Sequence, residues 1–393
     1  MAFYARGVKF LGVVLSSAIA IAACAEARNS GLDRETAPGA SLSPATPAGT
    51  SVSRGSVAAS TISIPGGAWR LAIDATRGRL YAAGANTLSA IDTATRAVLG
   101  TFALPRRTTG TGPAGAVVVD EKSGYVYVTD FVDDDVFVVD GPTLALVATV
   151  PVGRGPMALA FDEAAHQIYV ANVGQQSSRA VDDRSGSVSV IDTNTTRTVS
   201  TIALEGHPVA LALDARRGLL YVPELRAAGV AGAPFTAVLD ARSQSEVTTL
   251  ALRGATSIPS NEEIAVDEAL DAVYAIEPAS SSSFPGANMI MHLDPATNEV
   301  RLLVNPQGWT AVAVRSSGPG APRFYLFERY GDGAGRLWIL QHLGGRVEQF
   351  IRVSVMLLAE EPTEIVPNPR TNEVYLGSRV ASQVRVVVEP AYP

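Results

Sequence analysis

Acidic and amide side chains recur at one fixed place in this sequence, three residues after a repeated tyrosine. The tyrosines lie in short stretches such as DEAAHQIYVANVG (162–174), and the third residues after them are, in chain order, Gly84, Asp130, Asn172, Glu224, Glu277, Glu328 and Ser378. Carboxylate and amide oxygens are the ligands that hard divalent cations prefer. The pattern therefore predicts a candidate calcium or magnesium site with the ligands Asp130, Asn172, Glu224, Glu277 and Glu328.

Other interpretations of the same residues stay open. An Asp or Asn at the end of a strand often caps the following turn, which would suit Asp130 and Asn172. Clustered acids also form a merely solvated acidic face, or attract a basic peptide or small cationic ligand. Further residues are expected on the same face of the repeat array, around its central opening and at or near the starts of its inner strands: Arg70, Arg154, His207, Glu262, Glu263, Trp309, Glu361 and Glu364.

The rest of the sequence offers little for nucleophilic or nucleotide chemistry. Its four histidines do not cluster in the repeats, and only His207 falls at the predicted opening, where it would be the base of an enzyme. Lys122 lies in a hairpin turn, which disfavours Schiff-base chemistry. The glycine-rich TGTGPAG (109–115) precedes a strand rather than a helix, so it lacks the helix N-terminus that binds phosphate.

The first residues have the pattern of a targeting segment. Arg6 and Lys9 precede a short apolar run, LGVVLSSAIAIAA (11–23), which ends at Cys24, the only cysteine of the chain. This arrangement resembles the bacterial lipobox, so we expect a signal peptide over 1–23 and lipidation of Cys24; ordinary cleavage after Ala27 is the alternative. Residues 24–57 are rich in Ala, Ser, Thr, Pro and Gly, which predicts a disordered tether.

Charge narrows the range of partners. The formal net charge is −7, and Lys9 and Lys122 are the only lysines. A basic footprint for nucleic acid is therefore missing, and we expect no nucleic-acid partner.

Residues 58–393 consist of one unit repeated seven times. In most units an Asp or Asn stands seven residues before the tyrosine, as in Asp74–Tyr81 and Asp162–Tyr169, at a period of about 50 residues. Each unit reads as four short strands, called a, b, c and d in chain order, with strand a innermost. This predicts an all-β, seven-bladed β-propeller of four-stranded antiparallel blades. The last unit lacks its outer strand, and we expect an N-terminal strand at about 60–66 to complete it and close the ring.

Several motifs carry a resemblance to a known family. YVTD (127–130), YVAN (169–172) and YVPE (221–224), together with VSVIDTNT (188–195) and GRGP (153–156), resemble the YVTN-repeat family of bacterial extracytoplasmic propellers. The resemblance implies the seven-bladed fold and a location outside the cytoplasm, with the lipid anchor at the outer membrane or on the periplasmic face. It does not imply one activity, because propellers host unrelated functions.

These observations favour a binding scaffold over an enzyme. We expect a monomer, lipid-anchored through Cys24, that binds a protein or a small cationic ligand on the face of the b–c loops, chiefly 172–187, 223–235 and 277–288. The alternatives are a metal-dependent enzyme, which a resemblance to lactonase- and lyase-type propellers implies, and a structural envelope protein. Catalysis would require at least three of the predicted oxygens to converge on one ion.

Overall fold

The structure is a computed structural model, and its described part belongs to one compact unit, Arg54–Pro393. The described residues are 58–105, 115–174, 186–225, 235–251, 264–278, 288–294, 297, 299–307, 309–318, 322–329, 334–342, 350–359, 362–378 and 382–389. Strands and turns make up these ranges, and no helix in them is long and apolar enough to cross a membrane. Of the predicted segments, 1–23 and 24–57 lie outside the described residues.

The first three blades each contain four strands that follow one another in the chain. A single strand, β1 (Ala58–Ser63), precedes them. Blade one contains β2 (Arg70–Asp74), β3 (Arg79–Ala83), β4 (Thr87–Asp92) and β5 (Val98–Ala103). Blade two contains β6 (Val117–Val119), β7 (Tyr125–Asp130), β8 (Asp135–Asp140) and β9 (Ala145–Pro151). Blade three contains β10 (Pro156–Asp162), β11 (Gln167–Asn172), β12 (Ser187–Asp192) and β13 (Arg197–Ala203).

Blade four has an interrupted inner strand, and the remaining blades return to the common pattern. Blade four contains β14 (His207–Pro208), β15 (Ala212–Asp214), β16 (Leu219–Leu225), β17 (Phe235–Asp240) and β18 (Ser245–Ala251). Blade five contains β19 (Ile264–Asp267), β20 (Ala272–Pro278), β21 (Asn288–Asp294) and β22 (Glu299–Gln307). Blade six contains β23 (Trp309–Arg315), β24 (Arg323–Arg329), β25 (Gly335–His342) and β26 (Phe350–Leu358). Blade seven contains β27 (Glu364–Pro367), β28 (Glu373–Gly377) and β29 (Gln383–Val388).

The break in the inner strand of blade four follows from proline. Pro223 lies inside β16 and has no backbone N–H to donate to the neighbouring strand, so the ladder is interrupted there. β14 and β15 therefore pair separately with β16, and Val209 N donates to Pro223 O at 3.0 Å between them.

The seven inner strands contact one another in a closed circuit, which confirms the predicted seven-bladed propeller. In order around the ring they are β2, β6, β10, β15, β19, β23 and β27, and β27 contacts β2 again. The ring is closed at its outer edge by β1, which pairs antiparallel with β29 from Ala58↔Val388 to Ser63↔Gln383. The predicted closing strand is thus confirmed, although it begins at Ala58 and ends at Ser63.

The repeated tyrosine is a contact between blades. All seven copies are at most 1% exposed: Tyr81, Tyr127, Tyr169, Tyr221, Tyr274, Tyr325 and Tyr375. Tyr169 shows the arrangement, because its hydroxyl donates to Ala241 O of the next blade at 3.2 Å. Burial raises the pKa of Tyr169 to about 12, so the hydroxyl stays protonated. The tyrosine recurs because every seam between blades needs a large, mostly apolar side chain.

The repeated aspartates cap turns. At the a–b hairpins, Asp74 accepts from Arg77 N at 2.8 Å and Asp162 from Ala165 N at 2.9 Å. At the c–d hairpins, Asp92 accepts from Thr95 N at 2.7 Å, and this bond is the main reason that its pKa lies below the ordinary value. The recurrence of aspartate at these places is therefore explained by backbone hydrogen bonding, as the sequence predicts.

The a–b hairpins of successive blades are clasped to one another. Between blades one and two, the Glu121 carboxylate accepts from Ala75 N at 3.2 Å and from Thr76 N at 3.1 Å. The same arrangement recurs between blades four and five, where Glu268 accepts from Ala215 N at 3.0 Å. These bonds tie together the face opposite the b–c loops.

The outer strands of the first six blades each contain a β-bulge. In blade one, Ala90 pairs with Gly100 and Ile91 with Val98, so Leu99 has no partner. The same shift occurs in blades two to six. The bulged residues of blades one to four are exposed apolar side chains: Leu99, Val147, Val199 and Val247. A bulge twists the edge strand and discourages pairing with another sheet, which offsets the risk of an exposed apolar edge.

A buried ionic cluster joins blades six and seven. Arg315 stands where five other blades have the turn-capping Asp, and its guanidinium donates to Glu389 Oε2 at 3.1 Å. Arg323 Nε donates to the same oxygen at 3.2 Å, and the Tyr325 hydroxyl donates to Glu389 Oε1. Both arginines and Glu389 are at most 3% exposed. Burial leaves these charges dependent on one another, since water cannot replace a lost partner.

Removing the central carboxylate should destabilise this seam. We expect Glu389→Gln to lower the free energy of unfolding by about 3 kcal/mol, because it leaves buried arginines without their carboxylate. Asp271→Asn is the matched control. It breaks the exposed pair between Arg217 and Asp271 and should cost less than about 1 kcal/mol. Urea denaturation of both variants checks this, and equal small losses would show that the cluster contributes little.

Candidate functional site

The residues predicted as metal ligands lie at the C-terminal ends of the second strands of their blades. Asp130, Asn172 and Glu224 are 0% exposed, and Glu328 is half-buried. A solvated acidic face, one of the interpretations considered from sequence, does not describe the first three, because buried side chains do not face solvent. Each of the four holds a neighbouring part of the structure.

Asp130 caps the loop that follows β7. Its Oδ1 accepts from Val132 N at 3.0 Å and from Asp133 N at 3.4 Å, which matches the turn cap considered from sequence. A second acid of this loop contacts the neighbouring blade, since Asp134 Oδ1 accepts from Gly155 N at 2.8 Å at the start of blade three.

Asn172 does not cap its turn but bonds sideways to β12. Its Nδ2 donates to Ser189 Oγ at 2.9 Å and to Ser187 Oγ at 3.2 Å. Ser189 Oγ in turn accepts from Gly153 N at 3.1 Å, so the segment that leads into blade three is held against the blade's own strands. A Cβ at position 153 would lie 2.6 Å from Asn172 Nδ2, which explains the glycine.

Glu224 and His207 hold the segment that leads into blade four. Glu224 Oε2 accepts from Gly206 N at 2.7 Å. His207 is 6% exposed, and its Nδ1 lies 2.7 Å from Val173 O of blade three. Both side chains are therefore used inside the protein, and His207 links two blades. No described contact places it as the base considered in the enzyme alternative.

Glu328 is bonded within blade six, where its Oε2 accepts from Trp338 Nε1 at 3.0 Å. Glu277 and Trp309 lie in β20 and β23, but their side chains fall outside the described part. Arg154 precedes β10 and its carbonyl accepts from Gly174 N at 2.9 Å. Three further predicted residues lie outside the described residues: Glu262, Glu263 and Glu361.

The described residues do not bring these acids together. Within that part of the chain, no group of three or more His, Cys, Asp or Glu side chains could hold a metal ion. The reason is geometric: equivalent positions lie on different blades, and each side chain turns toward the segment it holds.

Two charged residues at the mouth of the ring, Arg70 and Glu364, bond to backbone groups of neighbouring blades. The Arg70 guanidinium, at the start of β2, donates from Nε to Gly115 O at 2.7 Å and from Nη1 to Thr363 O at 3.0 Å. Glu364, at the start of β27, accepts from Leu71 N at 2.5 Å. Arg70 thus joins the inner ends of blades seven, one and two, and Glu364 joins blade seven to blade one across the seam where the ring closes.

Glu364 has an unusual pKa for a carboxyl group. Burial raises its pKa to about 7, and the nearby Arg70 and the Leu71 N–H offset only part of this effect. Glu364 is accordingly a mixture of neutral and charged forms near neutral pH.

Comparison with known proteins agrees with the propeller. Residues 70–230 match a family model described as Choice-of-anchor I domain, which covers blades one to three and part of blade four. No curated protein is significantly similar to the chain. Similar solved structures include Kuenenia stuttgartiensis hydrazine synthase (TM-score 0.67, 16% identity, 84% of this chain and 97% of that chain) and the RRP9 WD40 repeats (TM-score 0.62, 12% identity, 84% and 97%). The Neurospora crassa Pan2 WD40 domain is also similar (TM-score 0.60, 12% identity, 84% and 90%).

These likenesses show the fold alone, because all are far below the identity at which activity is shared. The chain is a β-propeller protein, and its assignment to the YVTN-repeat family stays a prediction.

Glu364 should make the stability of the ring depend on pH. Its pKa in the folded protein lies above its ordinary value of 4.5, so its contribution is full below pH 4.5 and is lost as the pH rises through 7. We expect the wild type to lose about 2 kcal/mol more unfolding free energy between pH 5 and pH 8 than Glu364→Gln does. The exposed Glu163→Gln is the matched control and should behave like the wild type. Urea denaturation at both pH values is the measurement, and parallel slopes for all three proteins would contradict the assignment.

Proposed function

We propose that this protein is an extracytoplasmic, lipid-anchored scaffold whose propeller binds a partner protein through the b–c loops of blades three, four and five. The observation that carries the proposal is the use of Asn172 and Glu224, at the ends of the strands that lead into the loops of blades three and four, for bonds inside the protein. Polar side chains that form hydrogen bonds inside the propeller hold its strands in place as a rigid support for the loops. Recognition on such platforms lies in the loops they support.

The lengths of the b–c connections support this choice of face. In blade one, β3 and β4 are joined by only 84–86, whereas 173–186 join β11 to β12, 226–234 join β16 to β17 and 279–287 join β20 to β21. Loops longer than about 12 residues are uncommon in compact domains and are often functional, and 173–186 is of this length. On the opposite face the hairpins are short and clasped by Glu121 and Glu268.

The match to a Choice-of-anchor I domain supports a surface location. The family's description refers to an anchor, and a propeller fold with such a domain suggests a surface or interaction scaffold. Lipidation of Cys24 is the form of anchor that the N-terminal sequence favours.

The anchor can be tested with one substitution. We expect the full-length chain, expressed in a Gram-negative host with a labelled fatty acid, to carry the label and to sediment with membranes, because Cys24 would be acylated. Cys24→Ser should lose both properties, whereas the neighbouring Ala25→Ser should keep them. Fatty-acid labelling with membrane fractionation is the measurement. An unlabelled wild type, or a Cys24→Ser variant that still sediments with membranes, would refute lipidation.

The binding face can be tested by photo-crosslinking in cells. A photoreactive residue at Ser178, Ala228 or Ser281 in the long connections should give a discrete protein adduct. The same residue at Thr95, Thr143 or Thr195, exposed tips of hairpins on the opposite face, should give none. Gel mobility and mass spectrometry of the adducts are the readouts. Adducts from the hairpin positions alone, or from all six positions alike, would contradict the assigned face.

A further inference from the structure

The outer edge of blade seven differs from that of every other blade. In blades one to six the outermost strand contains a bulge, whereas β1 pairs with β29 residue by residue with no shift. β1 is the edge of its sheet, and its sequence, AASTIS, has no charge and no proline. It therefore lacks the bulges, charges and prolines with which proteins protect such edges.

The backbone groups that β1 presents outward can be assigned from its register. Ile64 N donates to Ser382 O at 2.8 Å, one position beyond the pair Ser63↔Gln383. Hydrogen-bonded and non-bonded pairs alternate in antiparallel sheets, so Ala58, Ser60 and Ile62 bond to β29. The N–H and C=O groups of Ala59, Thr61 and Ser63 point away from the sheet, and all three residues are exposed.

A cation lies beside this edge. Arg385 of β29 is directly opposite Thr61 and shares its face of the sheet, the face toward blade six. There it lines a shallow groove with Leu358, at the end of blade six, and with Leu376. Among the described residues Arg385 makes no ion pair, and it is half-buried.

We propose that the outer edge of β1 is a second docking surface, which binds an extended segment of a partner protein that carries an acidic side chain. The segment adds to blade seven as a further antiparallel strand, through backbone bonds with Ala59, Thr61 and Ser63. Arg385 selects the acid, because its long side chain reaches past Thr61 to a carboxylate on the added strand. This surface is separate from the b–c loops and does not depend on them.

The test uses the full-length mature chain in detergent. The probe is a fluorescent peptide of alternating valine and threonine with a central glutamate. A control peptide, its twin, has the same sequence with lysine in place of the glutamate. We expect saturable binding of the glutamate peptide, at least about fivefold tighter than its twin, because the twin places a like charge beside Arg385. Fluorescence anisotropy gives both dissociation constants.

Three variants separate the backbone from the charge. Thr61→Pro removes an outward N–H without touching the bonds to β29, so it should weaken the glutamate peptide about tenfold or more while the melting temperature holds. Thr61→Val keeps that N–H and should bind like the wild type. Arg385→Gln should remove most of the preference for the glutamate peptide.

Two results would overturn the proposal. One is the absence of saturable binding, or equal binding by Thr61→Pro and Thr61→Val. The other is a wild-type dimer that Thr61→Pro converts to a monomer in analytical ultracentrifugation, because the edge would then be occupied by a second copy of the chain.

Discussion

The pairing of β1 with β29 is the contact on which the rest of the structure depends. One apolar cluster contains Ile62 and Ile64 from the first described residues, Leu71 and Leu80 from blade one, and Val384 from the last strand. These side chains are buried only when both ends of the chain meet. Since every blade packs on two neighbours, loss of this seam would expose the faces of blades one and seven together. Closure of so long a loop costs entropy, but that cost grows slowly with loop length.

Other contacts join neighbouring blades on the two faces of the ring. At the mouth, Arg70 bonds to both neighbouring blades and Glu364 bonds to Leu71 N. On the opposite face, the buried cluster around Glu389 joins blade six to blade seven. In each of these places a charged side chain is used to hold one blade to the next.

The difference in loop length between the two faces follows from the geometry of the chain. Hairpins between adjacent strands are short, because antiparallel neighbours need few residues to turn, and here their backbones are capped by aspartates and clasped between blades. The b–c connections lie at the other face and have no such limit on length. Variation can therefore accumulate in them without disturbing the ring, and a binding surface of this protein is best sought there or at the edge of β1, which pairs with β29 without a bulge.

The sequence by itself determined the repeat, the seven blades and the closing strand. These follow from local physics, since Asp162 caps its hairpin and the strand of Tyr169 is a short continuous run of apolar residues between turns, whatever the rest of the chain does. Only the tertiary structure decided the roles of the residues at the ends of the second strands. From sequence, Glu224 and Asn172 are candidate metal ligands, and Asn172 also suits a turn cap. In the structure they bond instead to Gly206 N and Ser189 Oγ, which belong to other segments of their own blades.

The same limit applies to the pairing of Glu364 with Leu71 N, which lie 293 residues apart. Sequence spacing shows which side chains recur, but burial and the choice of hydrogen-bond partner depend on which distant segments the closed ring brings together. That is why the fold could be predicted from the residues, whereas the environment of each polar group could not.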